Sequence, residues 1–373
     1  MEPSWSFAKT PIAARCKRPQ QWTAAHCCTP HWSHQLRLNR RWTQLRNATT
    51  AGSLRVPNPW QVDHVSHVEP LSVAAFAAAI YHWKQRASLP MNGFVLDVGT
   101  NAGVYTLLAS AIAPELDLVG IDMQPKCLEV TECGLRLLHD SALPRNVHLL
   151  TRYVSNSADD VAIGVPDGEC GVMVSPTATR GRSPQGKLLG VSPHERNTTL
   201  AVVERRVRPI ALGRHLLDHF GSKRAAVVKV DTEGFETRVF ESLRPAWHLL
   251  GDIVFELQPE AWAHHGVRQE DGLRTLRDLI RANRYRVVTL PHTALGVGRG
   301  EAWWSIPPDF VDPCRLPRVS AQRAFPPNTE WWRGLGNATV MHGAHLEALI
   351  RRGKVRGFHE FLLTRKWELC KDE

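Results

Sequence analysis

The chain has 373 residues, of which 43% are hydrophobic and 22% are charged, and these proportions are ordinary for a globular enzyme. The length allows one large domain with extensions, or two domains. Because no run of about 18 apolar residues occurs, the sequence predicts a soluble body without a transmembrane segment. The net charge of +10 would favour a polyanionic partner only if the basic residues shared one folded face.

Most of the basic excess lies in residues 1–69. Before Asp63 the only acidic residue is Glu2, whereas lysine and arginine recur throughout. This composition fits a disordered leader, a transit-like segment of an organellar protein, or a nucleic-acid arm. The compartment therefore stays open between cytoplasmic and organellar, and we expect the folded domain to begin near residue 70.

The eight cysteines are scattered and show no CxxC or Cys/His zinc spacing. We therefore expect reduced, buried thiols and no disulfide framework. Three N-glycosylation sequons begin at Asn47, Asn197 and Asn337, and they would matter only in a secretory protein. No signal sequence supports that route.

From residue 70 onward, helical and apolar extended patterns alternate. The predicted elements, in chain order, are helix 71–86, strand 94–98, helix 102–113, strand 117–121, helix 126–139, strand 147–154, a hairpin of 161–165 with 171–174, strand 203–210, helix 212–220, strand 225–231, a helix reaching 240, strand 252–257, helix 271–283, and strands 285–290 and 303–306. Continuous apolar strands separated by helices predict an α/β fold with a mainly parallel sheet covered on both faces.

Residues 175–200 interrupt this alternation with Gly, Pro, Ser, Thr and Arg. A loop of this length in a compact domain is usually functional or disordered, so we consider it a candidate lid over an acceptor. Tryptophan pairs occur at 303–304 and 331–332, and Trp262 stands alone. They suit stacking on a sugar or polyketide, although packing in the core is the simpler interpretation.

The first strand is followed by the turn Asp97-Val-Gly99-Thr-Asn101-Ala-Gly103. Glycines let the backbone turn tightly and approach a ligand, and the first βα turn of such sheets commonly meets a cofactor. Asp122 ends the second strand, 19 residues after Gly103. From that position a carboxylate accepts hydrogen bonds from ribose hydroxyls.

The same spacing would suit NAD, but the residues in the turn argue against it. The dinucleotide fingerprint GxGxxG places a second glycine where this chain has Asn101. Asp97 would repel a pyrophosphate, whereas it would attract an ammonium group. The turn therefore favours a cofactor with a ribose and a zwitterionic amino-acid end, which describes S-adenosyl-L-methionine. An ordinary glycine-containing loop is the structural alternative.

Two acids follow the fourth strand, at Asp231 and Glu233. A hydroxyl that accepts a methyl group must lose its proton, and a nearby carboxylate helps. We therefore predict Asp231 as the acceptor-orienting or basic group, with Glu233 as its partner. The structural alternative is that Asp231 caps the following helix. Lys229 and Glu236 have simpler structural interpretations, and Glu256 faces either the cleft or a partner.

No metal is predicted, because His264 and His265 are adjacent and no histidine cluster accompanies the acids. The adenine is expected near the end of the third strand, around Tyr153, Val154 and Ser155. No residue there identifies itself as the hydrogen-bonding group.

Four segments resemble the FkbM family of S-adenosylmethionine-dependent methyltransferases: LDVGTNAGVYTLLAS, GIDMQP, VVKVDTEGFETRVFESL and DIVFELQPEAW. The resemblance covers roughly residues 90–260, and KVDTEGFE is its most specific part. It implies a Rossmann-like class I methyltransferase fold with a mainly parallel seven-stranded sheet, spanning residues 70–310. Residues 311–373 are then a C-terminal extension of unknown role.

The resemblance also implies site residues and an acceptor. The methionine end of the cofactor would lie against Asp97, Gly99, Asn101 and Gly103, with its ribose at Asp122. Thr100 and the DMQP segment depart from the usual family residues. The implied reaction is O-methylation of a sugar, glycolipid or secondary metabolite. Methylation of protein or RNA and a non-catalytic binding module are the rivals, and the concentration of basic charge in the leader argues against a nucleic-acid partner.

Overall fold

A computed structural model describes residues 70–85, 92–101, 103–139, 142–156, 161–166, 202–290, 339–355 and 359–366, together with Cys170 and Cys314. The α-helices are α1 (Pro70–Gln85), α2 (Val104–Ile112), α3 (Pro125–Leu138), α4 (Leu212–Phe220), α5 (Glu236–Leu243), α6 (Gln269–Asn283) and α7 (Gly343–Arg351). The 3-10 helices are Arg244–Leu249 and Pro259–His265. The strands are β1 (Gly93–Val98), β2 (Asp117–Asp122), β3 (Val147–Thr151), β4 (Tyr153–Val154), β5 (Val161–Pro166), β6 (Val202–Val207), β7 (Pro209–Ile210), β8 (Arg224–Val230), β9 (Asp252–Leu257), β10 (Arg286–Leu290), β11 (Thr339–Met341) and β12 (His359–Thr364).

The central sheet has eight strands in the order β3-β2-β1-β8-β9-β12-β10-β11. The neighbours from β3 to β9 run parallel, β12 runs antiparallel between β9 and β10, and β11 runs antiparallel to β10. The strand order reverses between β1 and β8, so a crevice opens there at the carboxyl ends of the strands. This arrangement confirms the predicted Rossmann-like class I fold, with one edge strand more than the expected seven.

Apolar layers cover both faces of the sheet. Helices α1, α2 and α3 pack on one face, around Phe76, Leu108 and Leu135. Helices α4, α5, α6 and α7 pack on the other, around residues such as Phe240 and Leu276. Every residue of β1 is buried, which explains why its sequence is apolar without alternation.

The C-terminal segment belongs to this sheet, contrary to the predicted boundary at residue 310. Strand β12 lies between β9 and β10, and β11 extends the edge. Leu362 and Leu363 contribute to the cores on opposite faces. The short apolar run of β12 was not assigned because its partners are far away in sequence.

Strand β5 pairs with β6, whereas the sequence predicted residues 171–174 as its hairpin partner. It pairs antiparallel with β6, so that Val161 lies opposite Val207.

The predicted partner 171–174 lies outside the described residues, as do the leader 1–69, the candidate lid 175–200, strand 303–306 and the tryptophan pairs. Trp262 is 1% exposed and packs in the core. Within the described ranges, no helix is long and apolar enough to cross a membrane.

The cysteine prediction is wrong. Cys127 and Cys170 form a disulfide across a sequence separation of 43 residues. Cys133 and Cys314 each take part in a disulfide as well. No free thiol occurs among the described residues. The pairing depends on three-dimensional contact, with 4.7 Å between the Cα atoms of Cys127 and Cys170, so the absence of a local spacing motif did not exclude it.

Candidate functional site

Acidic residues gather at one edge of the sheet. Asp97 and Asp122 lie at the carboxyl ends of β1 and β2, and Asp231 follows β8. Glu256 lies near the carboxyl end of β9, while Glu360 begins the antiparallel strand β12 and reaches the same edge. The topology therefore brings five carboxylates from separate parts of the sequence to the mouth of the crevice.

The turn after β1 has a left-handed backbone at three positions. Gly99, Asn101 and Gly103 have φ values of 82°, 49° and 85°. A Cβ on Gly99 would lie 1.7 Å from the carbonyl oxygen of Asp231, so only glycine fits there. A Cβ on Gly103 would lie 2.5 Å from Thr131 Oγ1. The two glycines therefore let the β1 turn pack closely against the turn after β8 and against helix α3.

Asp122 holds this turn directly. Its Oδ2 accepts a hydrogen bond from the Asn101 amide at 2.9 Å, and its Oδ1 accepts one from the Gln124 amide at 2.8 Å. Burial raises the pKa of Asp122 to about 6, against the lowering effect of these amides. Since each carboxylate oxygen can accept more than one hydrogen bond, both oxygens can still accept hydrogen bonds from ribose hydroxyls.

Asp97 is almost completely buried, with 2% exposure. Its Oδ2 accepts a hydrogen bond from the Thr106 hydroxyl at 2.7 Å, while its Oδ1 is buried without a hydrogen-bond partner. Burial raises the pKa of Asp97 to about 6, although the Thr106 hydroxyl and Lys229 lower it. A buried acceptor left without a donor is unusual and fits a ligand that brings its own donor.

The two departures from the family pattern have structural roles. Thr100 is buried, and its hydroxyl lies 3.1 Å from the Asp97 carbonyl oxygen and 3.2 Å from that of Ile121. Gln124 contributes its backbone amide to Asp122. Neither departure removes a group from the candidate cofactor site.

The predicted adenine region lies on β4, which pairs with β7 in a separate two-stranded sheet next to the site. The Arg152 amide donates to the Asp122 carbonyl oxygen at 3.0 Å, and the Ser155 amide donates to Ile210. Val154 is buried in the same apolar cluster as residues at the ends of β1 and β2. The Tyr153 ring lies 5.1 Å from that of Phe235, centroid to centroid, so an aromatic wall extends toward β8.

The turn after β8 carries the two predicted catalytic acids. The Asp231 amide donates to the Val98 carbonyl oxygen at 2.9 Å, which places Asp231 beside the β1 turn. Glu233 has a left-handed φ of 57° and accepts a hydrogen bond from Gln258 Nε2 at 2.6 Å. Burial, with the nearby Asp231 carboxylate, raises the pKa of Glu233 to about 8. Glu236 has a structural role, because its Oε1 accepts a hydrogen bond from the Gly234 amide.

Lys229 connects the acids of this edge. It is 1% exposed, and its Nζ lies 2.8 Å from Glu360 Oε1 and 3.4 Å from Asp231 Oδ2. Glu256 is 3% exposed and accepts a hydrogen bond from Gln258. Burial and the neighbouring carboxylates raise the pKa of Glu256 well above its usual range.

Three contributors to this edge were not predicted. Glu360 lies within residues 311–373, where no helix or strand was predicted. In the sequence it is only a single acidic residue at the start of an apolar run. Gln258 follows strand β9 directly and bonds two acids. Cys170 lies with its Sγ 3.2 Å from Asn101 Oδ1, so the disulfide to Cys127 adjoins the β1 turn.

No protein-family model and no curated protein matches the chain. Among solved structures, precorrin-6y C5,15-methyltransferase from Geobacter metallireducens is 14% identical, over 57% of this chain and 72% of its own, with a TM-score of 0.27. The plantazolicin methyltransferase BpumL, in complex with SAH, is 11% identical over 89% and 98%, with a TM-score of 0.30. The O-methyltransferase segment of StiE is 11% identical over 78% and 76%, with a TM-score of 0.28. Similarity at this level does not identify a function, and the fold is established by the strand order of the chain itself.

Proposed function

We propose that this protein is an S-adenosylmethionine-dependent methyltransferase of the FkbM type. The observation that carries the proposal is the buried, unpartnered Oδ1 of Asp97 beside a glycine turn that Asp122 holds in place. A carboxylate at this position suits an ammonium group and opposes a pyrophosphate. The KVDTEGFE segment supports the FkbM assignment.

The residues of the turn fit the parts of the cofactor. Asp97 would accept from the ammonium of the methionine moiety, and the tight turn that Gly99 and Gly103 permit would border that moiety. Asp122 would accept from the ribose hydroxyls with the lone pairs that the amides leave free. Val154 and Ser155 would border the adenine.

The chain contributes alignment and the exclusion of water. When bound, the cofactor supplies an electrophilic methyl group, and the protein must hold the acceptor in line with it. Asp231 lies beside the β1 turn, and its side chain is 23% exposed, so it can meet an incoming hydroxyl. We assign Asp231 to orienting that hydroxyl, with Glu233 as its partner. The proposed acceptor is a hydroxyl on a sugar, glycolipid or secondary metabolite.

A methyl-transfer assay tests this proposal. The full chain is incubated with methyl-labelled S-adenosylmethionine and cell extract, and the labelled product is identified. We expect a labelled small molecule, and at least about 100-fold less label with Asp231→Asn because a positioned carboxylate contributes on this scale. Glu241→Gln, on the exposed surface of α5, is the matched control and should retain wild-type labelling.

The outcomes separate the rivals. Label in protein or RNA would replace the small-molecule acceptor with a macromolecular one. Cofactor binding without a labelled product from any fraction would favour a non-catalytic binding module. If the cofactor does not bind at all, the proposal is wrong.

A further inference from the structure

Asp231, Glu256 and Glu360 form a carboxylate cluster outside the β1 turn. One oxygen from each lies within 4.8 Å of the others. Glu256 and Glu360 face each other directly in the register of β9 and β12, and Asp231 comes from the turn after the adjacent strand β8. Two adjacent strands and the turn after a third therefore hold the cluster together.

The charge within the cluster is incompletely balanced. The Lys229 ammonium pairs with Asp231 and Glu360, and the neutral Gln258 amide bonds Glu256 and Glu233. One positive charge thus faces four carboxyl groups. Glu256 and Glu360 are 3% and 2% exposed, so water does little to stabilise a negative charge on either group.

Glu360 supplies an independent indication of a ligand. Its Oε1 is paired with Lys229, while its Oε2 is buried and has no hydrogen-bond partner. A buried carboxylate oxygen without a hydrogen-bond donor is unfavourable unless a proton or a cation meets it. Solvent has access to the cluster through Asp231, whose side chain is 23% exposed.

We propose that Asp231, Glu256 and Glu360 bind a hard divalent cation such as Mg²⁺. Carboxylate oxygens are the ligands such ions prefer, and Mg²⁺ usually retains several non-protein oxygen ligands. This differs from the sequence prediction of no metal, which rested on histidine spacing. Ligands that come from three segments far apart in the sequence leave no local motif.

The position of the cation specifies the acceptor further, a consequence that rests on the proposed function. The cluster shares Asp231 with the place assigned to the acceptor hydroxyl. An acceptor oxygen would complete the coordination, and a cation-bound hydroxyl loses its proton more easily. The acceptor class is then an alcohol whose hydroxyl oxygen can bind the cation.

Mn²⁺ binding to the cofactor-free full chain tests the site, with electron paramagnetic resonance measuring free Mn²⁺. We expect one saturable site per chain and competition by Mg²⁺. Glu360→Gln should weaken Mn²⁺ binding roughly 10- to 100-fold. Glu241→Gln is the matched control, since Glu241 is an exposed carboxyl group on α5 outside the cluster, and it should leave Mn²⁺ affinity unchanged. Asp122→Asn is prepared in the same way for the cofactor comparison.

Binding of S-adenosylhomocysteine to the same samples separates the two proposals. Glu360→Gln should retain it and Asp122→Asn should weaken it, and circular dichroism checks that each variant folds. Glu256→Gln replaces Glu360→Gln if the latter does not fold. An absence of saturable Mn²⁺ binding, or equal affinity in the cluster variants, overturns the metal site. Saturable Mn²⁺ binding without S-adenosylhomocysteine binding would instead overturn the proposed function alone.

Discussion

The β1 turn and the carboxylate cluster lie at the same edge of the sheet but satisfy their acids differently. In the turn, Asp122 receives two backbone amides and Asp97 receives a hydroxyl. In the cluster, Glu256 and Glu360 share few donors, and Lys229 supplies the positive charge. Backbone amides can therefore stabilise carboxylates in a turn, whereas a group of buried acids needs protons or a cation to neutralise its charge.

The largest expected effect comes from breaking the disulfide beside the turn. Replacing Cys127 and Cys170 by serine should lower the free energy of unfolding by about 4 kcal/mol, because the bond closes a loop of 43 residues in the unfolded chain. Urea denaturation of the double variant and wild type measures this. An unchanged midpoint and slope would show that the disulfide does not stabilise the turn side of the molecule.

A smaller loss of stability is expected from Gly99→Ala. The new Cβ would meet the Asp231 carbonyl oxygen at a φ of 82°, so overpacking and the left-handed backbone together should cost about 3 kcal/mol. Gly266→Ala is the control, since Gly266 has a φ of 65° but nothing within 4 Å. Its cost should be about 1 kcal/mol. Equal unfolding free energies for the two variants would mean that the close approach is not tight.

The two regions also differ in how far the sequence could predict them. The turn and Asp122 are coded within 26 residues of one βαβ unit, so glycine positions and strand ends predicted their grouping. The cluster needs β12 inserted between β9 and β10, and no local pattern specifies that insertion. For the same reason Glu360, the partner of β5 and the Cys127–Cys170 bond were missed, since each depends on contacts between distant segments.

Asp122→Asn should weaken cofactor binding about 10- to 100-fold. Asparagine loses the charge-assisted hydrogen bonds to ribose and one acceptor oxygen of the turn, and such bonds contribute about 1.5–3 kcal/mol. Titration calorimetry with S-adenosylhomocysteine measures the change. Retention of full affinity would move the ribose away from the end of β2.

The pH dependence of cofactor binding should be the smallest effect. Burial raises the pKa of Asp97 from an ordinary 3.8 to about 6 in the free protein. Only the ionised carboxylate attracts the ammonium, so affinity should fall as the pH drops below about 6, by up to tenfold per unit for this group. The slope should diminish in Asp97→Asn. A flat profile between pH 5 and about 7 in the wild type would contradict this role.

The raised pKa of Asp97 makes the stability of the free protein depend on pH in the opposite direction from cofactor binding. Between pH about 4 and 6 the folded chain retains a proton on Asp97 that the unfolded chain releases. The free energy of unfolding should therefore decrease as the pH rises through this window. Urea denaturation across the range checks the sign, and Asp97→Asn should reduce the slope.

We propose that the turn from Asp97 to Gly103, with Asp122, binds S-adenosylmethionine and not a dinucleotide. Titration calorimetry of the 373-residue chain with S-adenosylmethionine and, separately, with NAD measures both affinities. We expect saturable binding of one S-adenosylmethionine per chain and no binding of NAD. Saturable binding of NAD, or no binding of S-adenosylmethionine, would contradict it.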